Sequence, residues 1–375
     1  MEKPKKFKLR EIFAKLSPIL INPSPTSITI GLSKRFLIFQ MLGKLTKRIE
    51  DDPYLNFISV LKNYKVLGKI LDGTLYELHR DRNKLYFKNF FIDRDLYETV
   101  KQDIEWVYHK CEKSKGLSDK KKKIKLTITK RGVIVYDNYK KNNFNLLLMT
   151  IHSGTWVPKN IQKKMKIMPE DRYLEEDIYT NRLYSRLVLE KGGIWIDNKQ
   201  SRFACDFNRT LSRAIYQDGS EMWIDNLWVE KLDEGEIKQL HDSYHQFYFT
   251  LANLVDTYHF NIIFDGHSMK DGKGRANISF GVKPTPKFYM PVVLFMRKKL
   301  KQLGYENVEL NQPYTGSYII RWLKSKFPQV FIFSAEINKK LYMSEDRKKV
   351  IKYKAEKLAK DITQIFDIDL ETEEI

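Results

Sequence analysis

Cysteine is nearly absent: Cys111 and Cys205 are the only two among 375 residues. Two thiols cannot build a disulfide framework or a Cys-rich zinc finger, and such a composition fits a reducing compartment, the cytoplasm. Long apolar runs are missing as well. Nowhere do about 18 apolar residues follow one another, as a membrane-spanning helix requires. The basic start Met1-Glu2-Lys3-Pro4-Lys5-Lys6 leads into neither an apolar stretch nor a small-residue cleavage site. Residues 1 to about 115 carry no motif and no repeat, and no RNP, KH or helix-turn-helix signature appears in the chain.

What is present is a packed globular chain, with 42% hydrophobic residues and six tryptophans, long enough for one large domain and a smaller module. The formal charge is +20, but the lysines are scattered and interleaved with acids. That pattern gives a solvated, ion-rich surface, as thermophile proteins also show, that attracts small anionic substrates. Nucleic-acid binding is the second reading of this charge. The corresponding alternative for the whole protein is a non-catalytic nucleic-acid- or partner-binding module.

Residues 1–120 mix helical and strand-like pieces and are expected to form an N-terminal extension or a small α+β module. Its clearest element is Asp95–Tyr108, apolar at 96, 100, 104 and 107, an amphipathic helix. Lys113 to Lys123, ending in four lysines, reads as a solvated turn, with a linker or exposed loop as the other reading. Residues 121–375 read as an α/β domain with a mostly parallel mixed sheet flanked by helices. Strands are expected at Ile124–Thr129, Gly132–Tyr136, Asn145–Ile151, Ile194–Ile196, Arg202–Cys205, Phe260–Phe264, Asn277–Gly281 and Val330–Phe333. Helices are expected at Asp177–Glu190, closed by Gly192-Gly193, at Glu236–Tyr258 and at the lysine-rich end of the chain.

Two of these strands end in a histidine motif, His152-Ser153-Gly154 and Asp265-Gly266-His267-Ser268. Open α/β sheets bind ligands just beyond the carboxyl ends of their strands. Two imidazoles and a carboxylate would leave a zinc ion one open position. The carboxylate is expected in the first turn of the helix after Leu174: Asp177 is the first choice, Glu176 the second. Asn208 and Arg209 set an amide beside a planar guanidinium, a fork for a carboxylate. Tyr314 and Arg321 lie in or just after a turn-rich loop. Glu336 is one carboxylate amid apolar neighbours, and desolvation there would raise its pKa toward that of a general base. A competing pattern, His241-Asp242-Ser243-Tyr244-His245, has the i, i+4 spacing of a helical zinc site but no identifiable third ligand. On the preferred reading His245 only borders the pocket.

Taken in order, these pieces resemble the N-formylglutamate amidohydrolase family, whose fold is similar to that of zinc carboxypeptidases and the succinylglutamate desuccinylase group. The matching motifs are His152-Ser153-Gly154 with Pro158, and Asp177 to Tyr184, where Asn181 replaces a second Asp. They continue with Asp206-Phe207-Asn208-Arg209, Tyr244-His245, Asp265 to Ser268, Pro313 to Tyr318, and Glu336-Ile337-Asn338 with Leu341-Tyr342-Met343. They span roughly residues 145 to 345.

The resemblance implies a Zn2+-dependent amidohydrolase acting on a small anionic acyl-amino acid or peptide end. His152, Asp177 and His267 would hold the metal and Glu336 would take the proton of the attacking water. Arg209, with Asn208 and Arg321, would grip a substrate carboxylate. Carboxypeptidases draw their ligand carboxylate from a Glu three residues after the first histidine; Thr155 stands there in this chain, a departure from that pattern.

Overall fold

A computed structural model describes residues 75–77, 93–113, 124–129, 131–139, 144–216 and 227–368. The expected turn or linker from 114 to 123, and most of the expected extension or module 1–120, lie outside them. Of the described residues, 93–244 and 260–368 belong to one compact unit, and 245–259 are grouped separately.

The strands are β1 (Leu75–Glu77), β2 (Lys125–Ile128), β3 (Val133–Asn138), β4 (Leu146–Thr150), β5 (Gly193–Asn198), β6 (Ile262–Met269), β7 (Ile278–Gly281), β8 (Val308–Leu310) and β9 (Phe331–Asn338). Strands β2 to β9 form one mixed sheet in the order β2-β3-β5-β4-β6-β9-β7-β8. The pairs β4–β5, β4–β6, β6–β9 and β7–β8 are parallel, while β2–β3, β3–β5 and β7–β9 are antiparallel. The middle strands β4, β5 and β6 are buried along their whole length. β4 and the first halves of β5 and β6 therefore read as apolar runs, as strands covered on both faces do.

The helices are α1 (Arg94–Lys113), α2 (Lys159–Gln162), α3 (Pro169–Glu175), α4 (Thr180–Arg186), α5 (Glu234–Thr257), α6 (Met290–Gln302), α7 (Tyr318–Lys326) and α8 (Lys352–Ile365). In α1 the predicted stripe Leu96, Val100, Ile104 and Val107 is buried. The carboxylate of Asp93 accepts from the backbone N–H groups of Asp95 and Leu96, capping the helix start. Among the described residues, no helix is long and apolar enough to cross a membrane.

Four expectations are corrected. Arg202–Cys205 is a turn, not a strand: the N–H groups of Ala204 and Cys205 both donate to Ser201 O. The helix expected from Asp177 begins only at Thr180 and finishes as a π-helical turn, Leu187–Lys191, before Gly192 (φ 103°) and Gly193 (φ 111°). Asp177 thus sits in the connection between α3 and α4, not in a helix's first turn. Finally, β6 and β9 outrun their apolar cores. Their ladder continues through Asp265↔Ser334 and His267↔Glu336 to Met269↔Asn338, because the polar side chains there find buried partners. His267 and Glu336 lie inside strands rather than beyond them.

Candidate metal centre

Because β4, β6 and β9 run parallel, they deliver His152, His267 and Glu336 to one end of the sheet. Two glycines let the chain approach closely there. A Cβ on Gly154 would stand 2.1 Å from the carbonyl carbon of Lys199, and one on Gly266 would lie 2.4 Å from the Tyr184 ring. The Tyr184 hydroxyl donates to His267 O at 2.9 Å, tying α4 to β6.

Asp177 reaches the same point from the α3–α4 connection. Glu176 closes α3 with an extended backbone (φ −66°, ψ 154°) and Tyr179 opens α4 with a left-handed one (φ 71°), so Asp177 lies in a short non-helical link between the two helices. Three contacts fix this turn. Thr180 Oγ1 donates to Asp177 O at 2.8 Å, the Tyr342 hydroxyl to Ile178 O at 2.8 Å, and Lys339 Nζ to Leu174 O at 2.7 Å.

His152, Asp177 and His267, all buried, each place a ligand-type atom within 4.8 Å of the others. His267 Nδ1 lies 2.9 Å and His152 Nδ1 3.7 Å from Asp177 Oδ2. The far nitrogens are both engaged: His267 Nε2 with Asp265 Oδ2 at 2.7 Å, and His152 Nε2 with Asp206 Oδ1 at 2.7 Å. A carboxylate on Nε2 fixes the tautomer that keeps the Nδ1 lone pair free. His152 Nδ1 is buried with no hydrogen-bond partner. Such an orphan costs about 1–3 kcal/mol, and a cation between the three side chains would relieve it. The donor set of two imidazoles and one carboxylate suits zinc.

The charges around the cluster are consistent with this. Burial pushes the His267 imidazolium down, but the charge of Asp265 and bonds to Asp177 and Asp265 hold its pKa well above the usual value. Burial, followed by the charge of Arg202, lowers His152. Burial raises Asp177, yet the bond and charge of His267 bring it below the usual carboxylate range. A cation binding here must therefore displace a proton, and its affinity rises with pH.

Glu336 faces His267 across the β6–β9 ladder and is partly buried. Burial first, with Asp177 and Asp265 adding, pushes its pKa up to about 8, against the pull of His267 and Arg202. Tyr314 is exposed, and its phenol is raised by burial of the hydroxyl and by Glu336. Arg209 keeps its side chain 33% exposed, with Nε 3.9 Å from Asp206. Asn208 is held by its N–H on Asp206 Oδ1 at 2.8 Å and by its Oδ1 on the N–H of Ile319 at 3.1 Å.

Glu176 is not part of the cluster: its carboxylate accepts from Arg172 (3.3 Å) and Ser201. Arg321 is exposed on α7, with Nη1 on Gly316 O at 2.7 Å. His245 is buried on α5. Neither His241 nor His245 belongs to a metal-type group among the described residues.

Sequence reasoning missed the groups that hold the two histidines. Asp206 accepts from Arg202 Nη2 (2.9 Å) and the Tyr216 hydroxyl as well as binding His152. Asp265 also accepts from Ser317 Oγ at 2.7 Å. Lys339 is fully buried, and burial lowers its ammonium to about 8. The i, i+4 spacing of Arg202 and Asp206, and the i, i+2 spacing of Asp265 and His267 on one strand face, were the available signals. Arg202→Met should weaken metal binding roughly 10–100-fold, the usual cost of losing an outer-sphere partner. A chelator competition titration measures it.

The N-formylglutamate amidohydrolase family profile matches residues 144–343, more than half of the chain. The chain belongs to the N-formylglutamate amidohydrolase family. It is accordingly an amidohydrolase, a hydrolase of amide bonds. The N-formylglutamate amidohydrolase of Ralstonia eutropha shares its fold: 18% identity, a TM-score of 0.52, and coverage of 62% of this chain and 95% of that one. A gene product of Agrobacterium tumefaciens aligns at 17% identity and a TM-score of 0.44, over 62% of this chain and 95% of that one. A metallo-carboxypeptidase of Burkholderia cenocepacia aligns at 9% and 0.30, over 62% and 59%. No curated protein matches the chain.

Proposed function

We propose that this amidohydrolase is zinc-dependent and cleaves the amide bond of a small N-acyl amino acid, of the N-formylglutamate type, or of a peptide end, in the cytoplasm. The observation that carries this reading is the buried trio of His152, Asp177 and His267, with the Nδ1 of His152 lacking a partner.

These three side chains would hold the ion, with Asp206 and Asp265 orienting the imidazoles. When bound, a zinc ion acidifies water and polarises a carbonyl. Glu336 supplies the proton transfer: its carboxylate accepts a proton from the attacking water and returns it to the departing amine nitrogen. Burial among apolar strand residues suits it to hold that proton between the two steps. Arg209 binds the substrate's carboxylate with its planar fork, and Asn208, held by its backbone N–H on Asp206 and by its side-chain oxygen on the N–H of Ile319, borders the same position. Tyr314, in the loop before α7, stands near enough to Glu336 for that carboxylate to raise its phenol.

The test is a panel of N-acyl amino acids assayed with and without their free carboxylate. Hydrolysis should require that carboxylate. Arg209→Ala should raise KM by roughly 10–100-fold, the equivalent of one charge-assisted contact, with a smaller change in kcat. Arg209→Lys should not restore it, because an ammonium cannot make the paired contact. A zinc-loaded protein inert to the whole panel would overturn the substrate assignment.

A further inference from the structure

We infer that Asp103, on α1 and outside the residues matched by the family, is a positioning residue for His152. The inference deepens the functional reading above and rests on it for what His152 does.

The argument starts from a buried lysine. Lys199, just after β5, is 1% exposed. A buried ammonium is tolerated only when paired. Lys199 Nζ meets Asp103 Oδ2 at 2.6 Å and Asp197 Oδ2 at 2.5 Å. Arg182 Nη2 reaches the other Asp103 oxygen at 3.3 Å. Arg182, Asp103, Lys199 and Asp197 thus form a row of alternating charge with no net excess, and Asp103 is its one inner anion from the N-terminal segment.

This row ends on the histidine loop. Asp197 Oδ1 accepts from Thr150 Oγ1 at 2.7 Å and Ser153 Oγ at 2.5 Å, so one carboxylate fastens the chain on both sides of His152. The backbone of Lys199 does the same further on. Its carbonyl accepts from the N–H of Trp156 at 3.0 Å, and its carbonyl carbon packs where a Gly154 side chain would be. Removing the Asp103 charge leaves Lys199 with Asp197 alone. The ammonium then pulls on the carboxylate that Thr150 and Ser153 share, and the loop loosens where it must aim His152 Nδ1.

Asp103→Asn tests this, with Lys101→Ala on the exposed side of α1 as a control and Asp103→Glu as the conservative variant. Hydrogen exchange is read on metal-free protein. In Asp103→Asn the peptide covering residues 150–157 should exchange about five- to tenfold faster, the loss of roughly one net hydrogen bond, while β6 and β9 stay protected. Zinc affinity should fall roughly 10–100-fold, as for other groups that orient a ligand, and kcat should fall with KM unchanged. Asp103→Glu should recover part of each, and Lys101→Ala should change none. Unchanged loop exchange in a folded Asp103→Asn protein overturns the inference. So does a loosened loop whose zinc affinity and kcat match the parent, since Asp103 would then be merely structural. If Asp103→Asn does not fold, Asp103→Glu carries the same comparison. A parent protein that bound no zinc would defeat the functional reading, and the exchange experiment would still decide whether Asp103 holds the loop.

Discussion

Glu336→Gln should bind zinc as tightly as the parent protein and turn over roughly 10²–10⁴ times more slowly. The substitution keeps the side chain's size and its place opposite His267 on the β6–β9 ladder, and removes only the ability to take and return a proton. KM should change little, because the substrate's carboxylate is assigned to Arg209. Undiminished turnover in the zinc-loaded variant removes Glu336 as the base. Loss of zinc would make it a ligand instead.

The same variant has a stability signature whose sign follows from its raised pKa. The pKa of Glu336 is about 8 in the folded metal-free protein and about 4.3 in an unfolded chain. The folded state therefore keeps a proton that the unfolded state gives up as pH rises. Below about 4 both states are protonated and the carboxyl costs nothing. Between about 4 and 8 the unfolded chain ionises alone, and stability falls with increasing pH. A glutamine side chain cannot ionise, so metal-free Glu336→Gln should melt above the parent at pH 8 and level with it at pH 4. Each kcal/mol of that difference moves Tm by roughly 2–4 °C. Equal melting at pH 8 would show that Glu336 ionises freely in the fold.

Much of the sheet is legible because its middle strands are apolar on both faces. Leu146–Thr150 and Ile262–Phe264 announce themselves as runs, and each leads to a histidine. The runs do not say where the strands stop. Beyond Phe264 and Phe333 the ladder is kept by polar residues whose partners come from other parts of the chain: Asp265 with Ser317, Asn338 with Asp271. Hydrophobic periodicity carries no information about such pairs.

The two histidines of the cluster are legible for a related reason, and the acid only in part. Glu176 and Asp177 are adjacent acids, and composition cannot choose between them. What separates them is the backbone of the α3–α4 connection, extended at Glu176 (φ −66°, ψ 154°) and left-handed at Tyr179 (φ 71°), conformations that neither residue type advertises. One acid is then rotated toward His267 and the other toward Arg172 and Ser201. Arg202 was hidden by its surroundings: Phe203, Ala204 and Cys205 suggest a strand, whereas the chain turns there and sends the guanidinium to Asp206. Asp103 could not be found at all, since its partner Lys199 lies 96 positions away.

Asp177→Asn should abolish zinc retention, by more than the roughly 10–100-fold expected for an outer-sphere change, because it takes the only negative ligand from the trio. Asparagine preserves shape, so His152 and His267 stay where Asp206 and Asp265 hold them. Two neutral imidazoles then remain to oppose the desolvation of a divalent ion. Elemental analysis after gel filtration should find little zinc and amide hydrolysis should be lost with it. Full occupancy would shift the carboxylate role to another acid.

Metal-free protein supplies an independent reading of the same change. His267 has a folded pKa well above its unfolded value of about 6.5. Its share of stability is complete below about 6.5 and is lost as pH climbs through the folded pKa. Asp177 is lowered, so its share is present above an unfolded value near 4 and lost in acid. The pair therefore acts together from about pH 4 up to the raised pKa of His267. Breaking such a buried pair costs about 3–5 kcal/mol. Asp177→Asn should be destabilised most near pH 6, and the gap should narrow below pH 4, where Asp177 is itself protonated. A gap that stayed constant with pH would mean that His267 is neutral in the metal-free fold, held by Asp265 alone.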